Sequence, residues 1–528
     1  MPASACPPCR SPAVWVVAAL LALLPGSLLS AQGGSAYEEL QAFSAVLNYV
    51  RLNYPDTVSY SALVHAAIAG VLHSLDPHSA FYSRREFERR TALERGELAI
   101  TGLAVEEVDS AITVFAVAAR SPAAKAGIQP GDRLLTINDT SIAGLTISAV
   151  QLRLAGERGS KLRLQFERGP RLEPDSFRVT IKPDFLEHRS VSIARMADSI
   201  TGYVRLEDFG LAAAKEVHDA LSRLKGQHMR QAILDLRGNP GGLVIAAVEV
   251  ASEFFPRGTE VFLTRGRKRD VDSTYATKRD GSFRDLPLIV LIDEHSASAA
   301  EALAASLQDH DRALLLGRRS FGKALMQLDF LVMPMQDNLH LTIGWVVSPS
   351  GRVIQRRYRG LAVEQYRSFA GKTGAAEDTS TEFHTDHGRV VRGGGGIAPD
   401  IDLAPPAALP VWWSIAADSS FDDAAADSVA LTLSPDPATR RAWMDSPDLW
   451  RAKLLPPYLA RTRARLHVVA QVDTALEARL ARGLAARVVE VRWGADAREE
   501  FSVRNSPDIR AALGHFPRLQ QLLAAPHR

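Results

Sequence analysis

The chain has 528 residues, 46% of them hydrophobic and 23% charged, with a formal net charge of +2. That is the composition of a folded globular protein with room for about three or four domains. Charge this close to neutral argues against a dedicated nucleic-acid binder, which would carry a basic patch or stripe. Beyond the N-terminus, no stretch stays apolar for the roughly 18 residues of a membrane span.

At the N-terminus, Arg10 precedes an apolar run from Ala13 to Leu24, followed by Pro25, Gly26 and the small residues Ser27, Ser30 and Ala31. A basic residue, a short apolar stretch and a small-residue cleavage site make residues 1–31 a secretory signal peptide, favoured over an uncleaved anchor. The chain is therefore expected to be extracytoplasmic, periplasmic or secreted, and membrane-bound only if this segment stays uncleaved. Both cysteines, Cys6 and Cys9, lie in the leader. A mature chain without cysteine offers no disulfide, no thiolate nucleophile and no Cys-ligated metal. No H-E-x-x-H or comparable spacing is present, so the histidines read as surface or packing residues.

Residues 36–97 read as an N-terminal helical region, because Glu38 to Leu52 and Tyr60 to Leu75 carry apolar residues at three-and-four spacing. Residues 98–184 change to short alternating strands with turn punctuation: "ITGLAVEEV", "AITVFAVA", "DRLLTINDT" and "KLRLQFERG". Two short helices interrupt them, one in "PAAKAGIQPG" and one over Thr146 to Leu154. Residues 185–403 alternate strands with helices. Strand candidates are 231–237, 287–293, 312–317 and 339–347; "AAAKEVHDALSRLK", "LVIAAVEVASEFF" and "SAAEALAASLQDH" are the helices. Apolar strands alternating with helices imply βαβ units and a largely parallel sheet covered on both faces. The polar segment 265–281 reads as a surface excursion. Residues 404–528 are Ala/Arg/Leu-rich and mainly helical, with Trp412, Trp413, Trp443 and Trp450 near their start.

Three stretches fall at loops after strands of that sheet, where α/β folds usually carry function. In Asp235 to Gly242, "DLRGNPGG", a strand ends and two glycines precede a helix. Unpaired N–H groups at such a helix start suit an anion or an oxygen becoming one. In "DEHSASAAE", Asp293 to Glu301, a serine among small residues can present its hydroxyl to a cleft. Alternatively, Ser296 or Ser298 caps the helix with Glu301 completing a box. The third stretch, "GRRSFGKALMQ" (317–327), follows an apolar run and looks like a phosphate-binding loop, but Ala324 stands where such a loop needs the Ser or Thr that ligates Mg²⁺. Lys323 then needs another task. A lysine with a lowered pKa can serve as the base that activates a serine. Phe321 and Leu325 flank it, and Gln327 lies four residues on. A Ser–His–Asp triad using His295, or His310 with Asp309, stays open.

These segments resemble the C-terminal processing peptidases, or tail-specific proteases. The resemblance covers about residues 75–401: "LDPHSAFYS", "ARSPAAKAGIQPGDRLLTIND", "GYVRLEDF", "DLRGNPGG", "SASAAEALAASLQDHDRALLLGRRSFGKALMQ", "LTIGWVVSPSGRVIQ" and "GGGGIAPDI". It implies an α/β fold: a crotonase-like (ClpP/crotonase) peptidase core over 185–403, an inserted PDZ domain over 98–184, and a helical C-terminal extension over 404–528. It also implies a serine endopeptidase working by a Ser–Lys dyad. The nucleophile would be Ser298, the general base Lys323, and the residue supporting it Gln327. The oxyanion hole would use the N–H groups of Gly242 and Ala299. The PDZ loop at Gly102 and Leu103 would take the carboxylate of a substrate tail. No metal or cofactor is implied. The implied partners are protein or peptide substrates with free C-termini and no nucleic acid, with a homo-oligomer left open. Ala300 and Ala324 depart from the family pattern of Ser and Gly, and the PDZ loop lacks the family's second glycine. The resemblance does not extend to residues 404–528. The rival expectations are a non-catalytic PDZ adaptor and a P-loop NTPase.

Overall fold

A computed structural model describes residues 36–108, 111–118, 121–129, 131–145, 147–168, 175–185, 189–333, 336–361, 365–366, 381–407, 421–466 and 472–524. The segment expected to be a signal peptide, with both cysteines, lies outside these residues, as do Trp412 and Trp413. The chain divides into two compact units, residues 1–71 and 72–528. The first contains helix α1 (Ala36–Asn53) and most of α2 (Tyr60–Leu75), the two helices expected there. Glu38 and Glu39 open α1 and Arg51 closes it, in the sense that complements the helix dipole.

The second unit opens with β1 (Ala80–Tyr82) and α3 (Arg84–Glu94), which starts with a capping box between Ser83 and Glu86. An antiparallel sheet follows: β2 (Leu103–Val108), β3 (Ala111–Val117), β4 (Arg133–Ile137), β5 (Thr140–Ser141), β6 (Leu162–Arg168) and β7 (Asp175–Ile181). Its order is β2-β3-β4-β6-β7, with β5 on β4, so β2 is an edge strand. Helices α4 (Pro122–Lys125) and α5 (Ile147–Leu154) join it, and Val114, Leu134, Val150, Leu164 and Phe166 fill its separate core.

The central sheet takes β8 (Val191–Met196), β9 (Thr201–Leu206), β10 (Gln231–Asp235), β13 (Leu288–Ile292), β14 (Leu314–Gly317) and β19 (Ile401–Asp402), in the order β19-β14-β13-β10-β9-β8. Only β8 runs antiparallel to its neighbour. From β9 to β19 each strand is added on the same side. Right-handed crossovers must then all land on one face. They do: α6 (Ala213–Lys225), α7 (Val244–Ala251) and α8 (Ala299–Asp309) pack on Val204, Leu206, Leu234, Val290, Ile292 and Leu315. The alternate residues, Tyr203, Ile233, Ile289, Leu291, Leu314 and Leu316, point to the opposite face. Val503, Ile509, Ala512, Phe516 and Leu519 cover that face, from helices α13 (Ala495–Asn505), α14 (Pro507–Gly514) and α15 (Phe516–Leu523) near the far end of the chain. Before them, α9 (Phe421–Thr432), α10 (Pro437–Asp445), α11 (Pro447–Leu466) and α12 (Thr474–Trp493) make a bundle with α13 around Trp443, Trp450, Tyr458 and Phe501.

A second sheet has β16 (Asp337–Val347) at its centre. It pairs with β15 (Leu325–Val332), with β1 at its start and with β11 (Glu260–Gly266) at its end; β12 (Ser273–Ala276) pairs with β11. The segment expected to be a polar surface excursion is thus the turn and outer strand of a hairpin. A small ribbon, β17 (Glu382–His384) and β18 (Val390–Arg392), completes the strands.

Candidate active site

The loops after β10, β13 and β14 converge at the C-terminal ends of these parallel strands, where α/β sheets place ligands. The loop after β10 closes on Gly241 and Gly242, with φ +100° and +143°. A Cβ on Gly241 would stand 2.8 Å from the Ser298 Cβ, and one on Gly242 would stand 2.6 Å from the Phe209 carbonyl oxygen. Only glycines let this loop lie flat against the serine turn. Asn239 locks it: its side chain donates to the Leu206 carbonyl (2.9 Å) and accepts from the Gly241 N–H (2.8 Å), and its carbonyl accepts from the Ala297 N–H (2.9 Å).

The loop after β13 is the serine turn. Asp293 Oδ1 accepts from the Gly238 N–H (2.9 Å) and the His295 N–H (3.0 Å), and the buried Ser296 hydroxyl donates to the Leu236 carbonyl (2.7 Å). Ser298 stands at the N-cap of α8 with φ 56° and ψ −115°. A side chain seldom adopts that backbone, which costs on the order of 1–3 kcal/mol and persists only where the surroundings hold it. Among the described residues, neither the Ala299 nor the Gly242 N–H is taken up by an acceptor.

The loop after β14 carries Lys323 and leads into the strand β15, not into a helix. A phosphate-binding loop needs a helix N-terminus at that point, so the nucleotide-binding expectation loses its structural basis. Glu301, wholly buried on the first turn of α8, ties this loop to the serine turn. Its Oε2 accepts from the backbone N–H groups of Ser298 (2.8 Å) and Lys323 (2.8 Å). Its Oε1 accepts from the Gly322 N–H (2.6 Å) and the Ser320 hydroxyl (2.5 Å). One carboxylate therefore fixes the backbones of both candidate catalytic residues. The sequence marks Glu301 only as half of a capping box, and that box is present, with Glu301 accepting the N-cap N–H of Ser298.

Burial pushes the Lys323 ammonium below its ordinary pKa. Glu301 opposes the shift, Arg90 on α3 adds to it, and Asp76 opposes it. Phe321 packs edge-on against Tyr366 and beneath Arg356, while Leu325 is buried beside the lysine. A cavity of about 260 Å³ is lined by Ser298, Ala299, Gly242, Lys323 and Gln327 together, with apolar walls that include Val244, Phe262, Tyr275 and Val346. Gln327 reaches it across a bulge at Met326/Gln327, and its amide donates to the Thr342 hydroxyl (3.1 Å).

His310 lies at the opposite end of α8, roughly 18 Å from Ser298 along twelve residue steps at 1.5 Å each, held by Asp386 and the Glu260 carbonyl. Asp309 pairs with the buried Arg352. Neither His295 nor His310 lines the cavity, whereas His340, held by Asp329 (2.7 Å), does. Gly102 (φ 83°) and Leu103 lie apart from it, at the start of β2, with α5 alongside that strand.

The chain matches the family model described as peptidase family S41 over residues 200–364 and a PDZ domain model over 113–168. It is 32% identical over 347 residues to the carboxy-terminal-processing protease of Bartonella bacilliformis, covering 64% of this chain and 78% of that protein. Identity to carboxy-terminal processing protease CtpA of Bacillus subtilis is 28% over 303 residues, 57% of this chain and 63% of that one. Among solved structures, the photosystem II D1 C-terminal processing protease aligns with a TM-score of 0.46 at 22% identity, covering 72% of this chain and 90% of that one.

Proposed function

We propose, for a chain that belongs to the carboxy-terminal-processing protease family of PDZ-bearing S41 serine peptidases, that it is a secreted endopeptidase in which Ser298 and Lys323 form the catalytic dyad. The observation that carries this reading is the one cavity lined by Ser298, by a half-buried Lys323 with a lowered pKa, and by Gly242 and Ala299, whose N–H groups have no acceptor among the described residues. The neutral Lys323 amine takes the Ser298 hydroxyl proton as Oγ attacks the scissile carbonyl carbon. The two N–H groups receive the tetrahedral oxyanion. The Lys323 ammonium then gives its proton to the leaving amine, and water hydrolyses the acyl-enzyme by the same route in reverse. Gln327 lines the same cavity as the lysine, and the apolar walls suit an apolar substrate side chain beside the scissile bond.

The PDZ domain supplies the second half of the reading. Its edge strand β2 lies beside α5, the arrangement to which an extended tail adds as a further strand, with its carboxylate at Gly102 and Leu103. The N-terminal leader puts the site of action outside the cytoplasm. One experiment tests the whole reading: cleavage of a substrate protein with a free C-terminus, and of the same protein amidated there, by wild type, Ser298→Ala, Lys323→Ala and the double variant. Each single variant should lose nearly all activity while staying folded. The losses should not add, because the two residues act as a unit. The amidated substrate should be cleaved more slowly by wild type. Activity that survives Lys323→Ala removes the dyad, and equal cleavage of the two substrates removes the tail recognition.

A further inference from the structure

The three loops of the candidate site are fastened from behind by a residue that belongs to none of them. Asp508 lies in the first turn of α14, in the C-terminal region that covers the second face of the sheet. Its Oδ2 accepts from Arg237 Nη1 at 2.5 Å and stands 3.8 Å from Arg318 Nη1. Arg237 belongs to the loop after β10: it grips Asp235 with Nε and Nη2, and the next residue, Gly238, donates its N–H to Asp293. Arg318 heads the loop that carries Lys323, and pairs with Glu294 (2.8 Å) and Asp293 (3.6 Å) of the serine turn. All three side chains are largely withdrawn from water, Asp508 at 19% exposure, Arg237 at 15% and Arg318 at 18%. Without Asp508, Arg237 keeps Asp235 and Arg318 keeps Asp293 and Glu294, but nothing ties the two arginines to each other, and in a cluster this dry that loss weighs more than the loss of a surface pair.

We propose that Asp508 is a positioning residue for catalysis: its carboxylate joins Arg237 and Arg318, and through them holds the oxyanion loop, the serine turn and the lysine loop in mutual register. The proposal rests on the reading that Ser298 and Lys323 carry out the chemistry. It gives the C-terminal region a role in turnover as well as in packing. A shift of one loop by a fraction of an ångström misaligns the serine, the base and the oxyanion donors together, whereas the apolar walls that bind substrate stay in place. The signature is thus a loss in kcat with KM little changed.

The test compares full-length wild type with Asp508→Asn, Asp508→Glu and Ser506→Ala, by steady-state kinetics, melting temperature and the rate at which a fluorophosphonate labels Ser298. Asp508→Asn should lower kcat and the labelling rate about tenfold or more, within the losses that misplacement by about 1 Å produces, while KM changes less than about twofold on the binding argument above. Asp508→Glu should restore most of the rate. Ser506→Ala removes the cap hydroxyl of the same helix (Ile509 N–H to Oγ, 3.4 Å) and should lower the melting temperature without lowering kcat. Wild-type kcat in Asp508→Asn overturns the proposal, as does an equal loss of kcat in Ser506→Ala. If Asp508→Asn does not fold, Arg318→Lys, which keeps the cation and removes the fork, should show the same kcat loss at constant KM; an unchanged kcat there is equally fatal. Retained activity in Ser298→Ala is a separate result and overturns the functional reading instead.

Discussion

The two faces of the central sheet are covered in different ways. The α6–α8 layer is made of the crossovers between neighbouring strands, and it borders the candidate active site. Ser298 opens α8, Gly242 precedes α7, and Glu301 projects from α8 to hold the lysine loop. The α13–α15 layer arrives from far along the chain and contributes no residue to the cavity. The difference follows from strand order. Strands added always on one side send every right-handed crossover to one face, and the bare face can be closed by helices of any origin. In the first layer packing and chemistry share residues; in the second they are separate, apart from Asp508.

That division predicts different failures. The largest effect is expected from ending the chain at Asn505, which strips Ile509, Ala512, Phe516 and Leu519 from the second face. Each large apolar side chain buried there stabilises by about 1.5–3 kcal/mol, against a total stability on the order of 5–15 kcal/mol. The product should be insoluble or unfolded by circular dichroism; a soluble, cleaving fragment would break the comparison. Next comes Glu301→Gln in the first layer. The amide keeps one acceptor oxygen but turns its NH2 either towards the N–H groups of Ser298 and Lys323 or towards that of Gly322, which costs about 1–3 kcal/mol. The protein should stay folded while kcat falls by about a hundredfold. Loss of fold with no loss of specific activity in the remaining folded fraction would reverse the assignment of roles.

The smallest effect sharpens the electrostatics. In the proposed dyad only the neutral amine of Lys323 accepts a proton, so kcat/KM should rise with pH as the lysine deprotonates, at a pH below that of an ordinary lysine because burial lowers its pKa. Arg90 lowers that pKa further and Asp76 raises it. Arg90→Gln should therefore move the rising limb to higher pH and Asp76→Asn to lower pH. Profiles that move together, or not at all, would show that neither charge is felt at Lys323.

Legibility in the sequence follows the same line. The strands β10, β13 and β14 stood out because both of their faces are buried, which makes them unbroken apolar runs. Ser298, Lys323 and Gly242 were found through motif resemblance, with residue chemistry in support. β12 lies at the surface, as the polar composition of 265–281 implies, but its four residues, Ser273 to Ala276, carry too little pattern to show a strand; its partner β11 supplies the hydrogen bonds that define it. β7 was not assigned, although Phe177, Val179 and Ile181 alternate clearly enough. The bracing role of Glu301 was hidden because a serine and a glutamate three apart look the same in any capped helix. Asp508 carried no signal at all, since Arg237 lies 271 residues away and nothing local marks an aspartate at a helix start as anything but a cap.

The one-sided winding of the sheet also sets an order of events as the chain is made. β9, β10, β13 and β14 emerge with their crossovers long before residues 503–519 exist. In the interval Ile233, Ile289, Leu291, Leu314 and Leu316 face water, and a nascent chain in that condition needs shielding from its neighbours. Arg237 and Arg318 likewise wait for Asp508. On the roles proposed for Ser298, Lys323 and Asp508, the serine and lysine loops would come into register, and the chain would become able to cut, only after the covering helices had been synthesised and had docked.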